Sequence, residues 1–560
     1  MVDAAGSGAG QRASAVFIGE GSLLAQCADA FLAAGHEVRA VVTEEPALLQ
    51  WARERGLKTI DPAADVLALL SAMSFQFLFS VVNLRVLPPA LLALPRRLAV
   101  NYHDGPLPRY AGVHATSWAL MRGEREHGIT WHTMEPAVDT GAVLKQVTFD
   151  VGPRATALSL NAACYEAALH SFVELIPELT AGTASLQPQD EQGRSYFGRL
   201  RRPPAACVLD WRRPVHALDA LVRALDFGPY ENALGLPKLL CPDGSVVAVQ
   251  KTTVLTEPAP AAAGTVLAAG DRSVVVAGTD GALRLERFAT LAGARLDAAA
   301  LDARGITRGA RLPALTDALA ERLGAVQRAV AKHEPFWVDR LAGTAAPVLA
   351  QHWSPAGAQQ PVVVEQPLPG GLGALLARAL DGAPAADAVA LVVAAFIGSH
   401  KPRVACDIAF RDHALAALLD GTPPVFAPAV PFRVEVGGAL DQAAALRELG
   451  AELARVRAAG TYALDVHARI PSLRAHGRAA GTGALPIAIC IHDADWSCVE
   501  PLTGGLCVCV EGGGSRLRWA DDAGPGLDAL RGLLARFAEF AVATASAAAE
   551  PFASSAADPA

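Results

Sequence analysis

Three short stretches concentrate the side chains that could do chemistry. The first runs Asn101-Tyr102-His103-Asp104-Gly105-Pro106-Leu107-Pro108-Arg109-Tyr110-Ala111-Gly112. The second is Gly128-Ile129-Thr130-Trp131-His132, and the third Glu135-Pro136-Ala137-Val138-Asp139-Thr140-Gly141. Together they offer a carboxamide donor, imidazoles and carboxylates set among turn residues. An Asn and a His at a strand end can hold an oxyanion, and an Asp nearby can orient and charge the His. No Ser or Cys stands as an obvious nucleophile. That favours direct transfer between two bound substrates over a covalent intermediate on the protein.

The elements that must position these residues are read from the pattern around them. Residues 15–19 read as a buried strand stopping at Gly19, 22–34 as a helix closed by Gly35, and 38–43 as the next strand. A helix over 47–55 ends at Gly56, 58–60 is a short strand, and 75–82 and 98–102 are continuous apolar strands. An amphipathic helix spans 155–179. Strands interleaved with helices predict βαβ units, a mainly parallel sheet and a doubly wound α/β fold. Ligands of such sheets bind beyond the carboxyl ends of the strands, where Asn101 and His103 stand. Gly19-Glu20-Gly21 starts like a dinucleotide fingerprint, but Leu24 occupies the place of its third glycine. A tight strand-to-helix turn is the better reading.

Asn101-x-His103, then Leu107-Pro108 and Gly112, then Asp139-x-Gly141 resemble the pattern of 10-formyltetrahydrofolate-dependent formyltransferases. That family acts on methionyl-tRNA, glycinamide ribonucleotide or sugar amines. The resemblance covers residues 14–310, because the stretch from Leu209-Asp210-Trp211 to 310 is similar to the C-terminal domain of the methionyl-tRNA enzymes. It implies a Rossmann-like catalytic domain at 14–200 and a small β-barrel at 205–310. It also implies direct formyl transfer from 10-formyltetrahydrofolate to a primary amine. Asn101 and protonated His103 would stabilise the tetrahedral oxyanion, and Asp139 would charge the His and help move the proton. The folate would lie along Phe77, Leu84, Arg85, Val86, Leu107, Val138 and Gly141, although 77–86 reads equally well as a plain buried strand. Arg109, His114 and His132 are the substrate-side candidates. Against that, Arg109 could be a solvated loop charge and His132 an ordinary strand histidine. Asp104 reads as facing solvent.

Two departures bear on the acceptor. The methionyl-tRNA enzymes carry a long basic loop after the second strand, whereas here Thr43-Glu44-Glu45-Pro46 runs straight into a helix. Gripping phosphates needs clustered Lys and Arg. The net charge of -8 agrees, so no nucleic-acid partner is expected. The second departure is a third region. After a helix at 215–225, strands at 245–254, 264–267, 273–277 and 282–288 and a helix at 315–330, residues 332–560 read as an α/β domain of their own. Its helices fall at 372–380, 386–397, 440–458 and 527–542, and its strands at 432–436, 486–491, 505–510 and 516–519. Phe336-Trp337-Val338-Asp339-Arg340-Leu341, Leu485-Pro486-Ile487 and the last helix loosely resemble the later half of a nonribosomal peptide synthetase condensation domain, over 332–545. No His-His pair occurs, so a scaffold or docking role is expected there. The Ala/Ser tail after Val542 reads as a linker toward adenylation and carrier domains.

The expected activity is therefore N-formylation of an amino acid or carrier-bound aminoacyl group in nonribosomal peptide biosynthesis. A nucleotide-sugar amine formyltransferase and a non-catalytic interaction module of the same fold are the alternatives. Composition bounds this further. At 560 residues the chain exceeds what one core supports, so several domains are expected. Its hydrophobic fraction of 52% and mean hydropathy of +0.28 exclude a mainly disordered chain. The longest apolar run, near 388–397, is too short to span a bilayer, which takes ~20 residues, and the N-terminus lacks a signal-peptide core. An odd set of scattered cysteines suits a reducing cytoplasm. Cys490, His492, Asp495 and Cys498 match no zinc spacing, so no metal is expected.

Overall fold

The computed structural model describes residues 12–255, 257, 261–349, 362–380, 382–401, 403–436, 442–475, 485–492, 505–521 and 527–549. Most of the N-terminal Gly/Ala/Ser segment and the end of the Ala/Ser tail lie outside them, as do Asp495 and Cys498. Two compact units result: the chain up to Arg201 with Arg213–Gly228, and Arg202–Arg212 with the chain from Pro229 onward.

The strands of the first unit are β1 (Ser14–Gly19), β2 (Glu37–Val42), β3 (Thr59–Ile60), β4 (Phe77–Val81), β5 (Leu98–His103), β6 (Ala111–Gly112), β7 (Glu126–Thr133), β8 (Val143–Asp150) and β9 (Tyr196–Phe197). Seven of them form one sheet in the order β3-β2-β1-β4-β5-β7-β8. The first five are parallel, as the interleaved helices require; β7 and β8 add an antiparallel edge. Helices α1 (Gly21–Ala33), α2 (Pro46–Glu54), α3 (Val66–Ser71), α4 (Pro89–Leu92), α5 (Ala115–Arg122), α6 (Ala157–Ala181) and α7 (Val215–Ala224) complete the unit. Thr156 and Ser159 close a capping box at the start of α6, and Gly182 ends it in a left-handed conformation. Gly19 (φ 138°) lets β1 turn beside β4, where a Cβ would sit 1.9 Å from the Val81 carbonyl oxygen.

Alternation gives the sheet two different faces. Val100, Tyr102 and Trp131 join Phe17, Phe77, Phe79, Val81 and Phe172 in the core shared with α1 and α6. Tyr102 pairs across β5 and β7 with Trp131, and Asn101 with His132. The polar residues therefore share the opposite face.

In the second unit, β10 (Lys238–Leu240), β11 (Val246–Leu255), β12 (Val266–Ala269), β13 (Ser273–Ala277) and β14 (Ala282–Ala289) form a five-stranded antiparallel sheet in the order β10-β11-β14-β13-β12. This is what occupies the place of the small barrel. The third region contributes β15 (Val362–Pro367), β16 (Cys406–Arg411), β17 (Val430–Val434), β18 (Ile487–His492), β19 (Leu506–Glu511) and β20 (Arg516–Asp521), ordered β15-β20-β19-β18-β16-β17. The helix Ala385–Ser399 is buried on nearly every side, which explains why its sequence is the longest apolar run. Among the described residues no helix is long and apolar enough to cross a membrane.

Both sheets fall within the second compact unit. A buried charge network links them. Lys238 Nζ lies 2.5 Å from Asp465 Oδ2, Arg469 Nε lies 2.9 Å from Asp465 Oδ1, and Arg469 also pairs with Glu334. Ions this deeply buried are tolerable only when paired, so each region completes the other.

Candidate functional site

Register brings the polar residues together. Antiparallel pairing sets Asn101 opposite His132 and His103 opposite Thr130, and directly paired residues share a face. Asn101 Nδ2 lies 3.1 Å from His132 Nε2, while His132 Nδ1 lies 2.7 Å from the Thr133 carbonyl oxygen. A carbonyl only accepts, so Nδ1 donates there, while Nε2 faces both the Asn101 carboxamide and Asp139. His103 is fixed the other way round. Its Nε2 donates to the Tyr110 carbonyl at 2.8 Å, leaving Nδ1 to face Asp139 Oδ2 at 3.6 Å and Asp104 Oδ1 at 3.8 Å.

Asp139 arrives on the connection between β7 and β8. Its backbone is left-handed (φ 54°), its Oδ1 lies 3.6 Å from His132 Nε2, and its Oδ2 accepts the Gly112 N–H at 2.7 Å. Burial by itself pushes this carboxyl up. His103, His132 and the Gly112 N–H together outweigh that and hold it down at about 2. Asp139 is thus ionised beside two imidazoles.

Two glycines are dictated by close approach. A Cβ on Gly112 (φ 101°) would lie 2.1 Å from the Phe197 carbonyl oxygen, and one on Gly141 only 1.7 Å from that of Thr133. The loop between β5 and β6 is tied down from below. Leu107 N–H donates to Thr130 Oγ1 (3.1 Å), which donates to the Gly105 carbonyl (2.8 Å), while Gln146 donates to the Leu107 carbonyl (2.8 Å).

Asn101, His103, His132 and Asp139 are therefore brought into one cluster. Asp104 is partly exposed yet within 3.8 Å of the His103 ring. Arg109 is half exposed, 3.6 Å from Glu124 Oε2, as a solvated loop charge would be. His114 opens α5 in a left-handed conformation, its ring 6.2 Å from that of Phe227. Of the folate-side residues, Leu84 and Val86 follow β4 as strongly exposed apolar side chains, Val138 is 38% exposed, and Arg85 pairs with Glu44 at 2.6 Å. Leu107 is buried. Phe77 must be corrected. It points to the helix-covered face near the amino end of β4, fully buried in the core, and cannot meet a ligand.

Reading the sequence alone missed the residues that hold the two loops, namely Thr130, Gln146, Gln189, Arg194 and Ser195. For Thr130 a signal existed: Ile129 and Trp131 alternate with Thr130 and His132, a half-buried strand pattern. Gln189, Arg194 and Ser195 lie in a connection with no periodicity to read. Elsewhere, Cys490, Cys507 and Cys509 are buried neighbours on β18 and β19, with Sγ–Sγ separations of 3.7 Å and 3.8 Å, ordinary thiol packing contacts.

The formyl transferase family model matches residues 13–176, and that of the formyl transferase C-terminal domain residues 203–304. The chain belongs to the formyl transferase family and is an enzyme of formyl transfer. A methionyl-tRNA formyltransferase of Burkholderia thailandensis is 30% identical over 273 residues, 46% of this chain and 80% of that protein. Another, of Geobacter metallireducens, is 27% identical over 291 residues, 49% of this chain and 90% of that protein. Among solved structures, an N-formyltransferase of Helicobacter canadensis in complex with folinic acid and dTDP-3-aminofucose matches with a TM-score of 0.42 at 19% identity, covering 49% of this chain and 99% of that one.

Proposed function

We propose that the first unit transfers a formyl group from 10-formyltetrahydrofolate to a primary amine, with Asn101, His103 and Asp139 as its catalytic residues. The observation that carries this is the approach of Asp139 to both imidazoles, at 3.6 Å each, beside a carboxamide donor. When bound, the folate supplies the formyl group. The exposed apolar side chains of Leu84, Val86 and Val138 suit its flat ring system. Asn101 donates where negative charge develops on the formyl oxygen, a kind of interaction worth ~2.7–4 kcal/mol per donor, and protonated His103 sets its positive charge beside it. Ionised Asp139 balances the charge on His103 and orients it. His132 fixes the Asn101 carboxamide through its Nε2 and stands on the acceptor side with Arg109 and His114.

The acceptor is read as an amino acid or a carrier-bound aminoacyl group of nonribosomal peptide biosynthesis in the cytoplasm, with adenylation and carrier domains as partners. Support comes from the condensation-like pattern at 332–545 and from the β2–α2 connection. There Glu45 accepts the Gly21 N–H and Glu44 pairs with Arg85, leaving an acidic, three-residue link. Such a link cannot neutralise tRNA phosphates. The test is incubation with 10-formyltetrahydrofolate and a panel of amines: free amino acids, aminoacyl carrier thioesters, methionyl-tRNA and amino-sugar nucleotides, with His103→Ala as control. Formylation of the thioester or amino acid, lost in the control, is expected. Turnover of methionyl-tRNA alone overturns the acceptor assignment.

A further inference from the structure

Residues 189–197 lie outside both family matches, which end at 176 and resume at 203. They nevertheless touch both loops of the site. Arg194 donates from Nη2 to the Val138 carbonyl at 2.7 Å and from Nη1 to the Asp139 carbonyl at 3.0 Å. Gln189 Nε2 donates to the Asp139 carbonyl at 3.1 Å and to that of Gly141 at 2.7 Å. One amide and one guanidinium thereby satisfy the carbonyls of Val138, Asp139 and Gly141. The same segment holds the Gly112 loop. Tyr110 N–H donates to Ser195 Oγ at 2.8 Å, Ala111 N–H to the Ser195 carbonyl at 2.9 Å, and Val113 N–H to the Phe197 carbonyl at 2.9 Å.

The segment is itself anchored. Phe197 is buried, stacked on Tyr110 (5.7 Å) and Trp118 (4.8 Å), with the Arg122 guanidinium 4.8 Å from its ring centre. A rigid aromatic stack therefore fixes a strap, and the strap fixes two loops. The bond those loops share, Gly112 N–H to Asp139 Oδ2, is the one that aims the carboxylate at His103.

We infer that residues 189–197 are a positioning strap for Asp139, and that Arg194 and Gln189 are positioning residues of the active site. Neither touches a reacting group. Arg194 contributes a planar fork matched to two carbonyls, which a lysine cannot reproduce. Gln189 contributes both protons of one amide. Only the consequence for turnover rests on the formyl-transfer reading; the placement of Asp139 does not.

The experiment uses the full chain. Hydrogen exchange is followed by mass spectrometry in wild type, Arg194→Ala and Gln189→Glu, the last nearly isosteric. Peptides covering 105–113 and 134–142 should exchange at least about tenfold faster in both variants, with β1–β4 unchanged. Unchanged exchange in those loops overturns the inference, and so does acceleration spread over β1–β4, which would mark a general structural role. Turnover adds two signatures. Added guanidinium should restore part of the kcat of Arg194→Ala. The Glu of Gln189→Glu faces two carbonyls and can donate only when protonated, so its activity relative to wild type should climb as pH falls. A flat ratio or absent rescue in an active enzyme overturns the catalytic consequence. If the wild type formylates no amine, the formyl-transfer reading fails, while the exchange data still decide the strap.

Discussion

Asp139→Asn keeps the size of the side chain and removes its charge. The carboxyl is held at about 2 against an ordinary 3.8 because His103, His132 and the Gly112 N–H outweigh the upward push of burial. A group whose folded pKa lies below its unfolded value stabilises fully above the unfolded value, and that stability is lost as pH falls through the folded one. At 1.36 kcal/mol per pH unit the depression corresponds to about 2 kcal/mol near neutrality. Roughly half of this should be gone by about pH 3 and nearly all by about pH 1. Wild type should therefore lose about 1 kcal/mol more than Asp139→Asn between about pH 5 and pH 3. A chain of two compact units has no single unfolding free energy, so the assay must read them separately. Hydrogen exchange of β5 and β7 peptides against urea at each pH does so. Parallel pH dependence in the two proteins would refute the electrostatic account of this site. At neutral pH the variant should also turn over about 10²–10⁴-fold more slowly, since Asn cannot balance a protonated imidazole.

The same geometry sets four further outcomes. His103→Ala should lower kcat by about 10²–10³ with the unit still folded, measured by formyl release and circular dichroism, because the side chain holds only one backbone carbonyl. Gly112→Ala meets both a φ of 101° and the Phe197 carbonyl at 2.1 Å, so it should destabilise the first unit by at least about 1–3 kcal/mol and slow turnover together. Phe77→Leu should leave the KM for the folate unchanged and cost about 1 kcal/mol of stability; a KM shift would return Phe77 to the ligand face. Asp465→Asn leaves buried Lys238 and Arg469 undercompensated and should cost about 3–5 kcal/mol, with β10–β14 and β15–β20 losing exchange protection together.

The parallel half of the sheet was legible because its strands are short apolar runs and the helices between them end at glycines such as Gly35 and Gly56, both at positive φ. Residues 15–19 and 38–43 therefore fall within a residue or two of β1 and β2. That Asn101, His103 and Asp139 come together was legible for a different reason: a carboxamide, an imidazole and a carboxylate set among turn residues are the polar groups the loops bring to one place. Contacts that depend on pairing were not legible. Whether His132 is a site residue turns on β7 running antiparallel to β5, which sets it opposite Asn101. A shift of one residue would have put Trp131 there and buried the histidine among α1 and α6. Phe77 fails by the same rule, since its parity with Phe79 sends it to the helix side.

Charge pairing across long separations was hidden more deeply still. Nothing local to Lys238 announces a partner at Asp465, so the two regions read as independent while their burial makes them interdependent. Lys238 lies on the first strand of the five-stranded sheet and is almost wholly inaccessible. Of the groups its ammonium meets, only the backbone carbonyls of Ala206 and Leu236 come from outside residues 332–549, and its carboxylate partner comes from within them. Asp465 is thus what makes an ammonium tolerable at this depth. A formyltransferase C-terminal domain carrying a lysine at this place is thus committed to its neighbour. The third region is thereby part of what stabilises the five-stranded sheet, whatever else it binds.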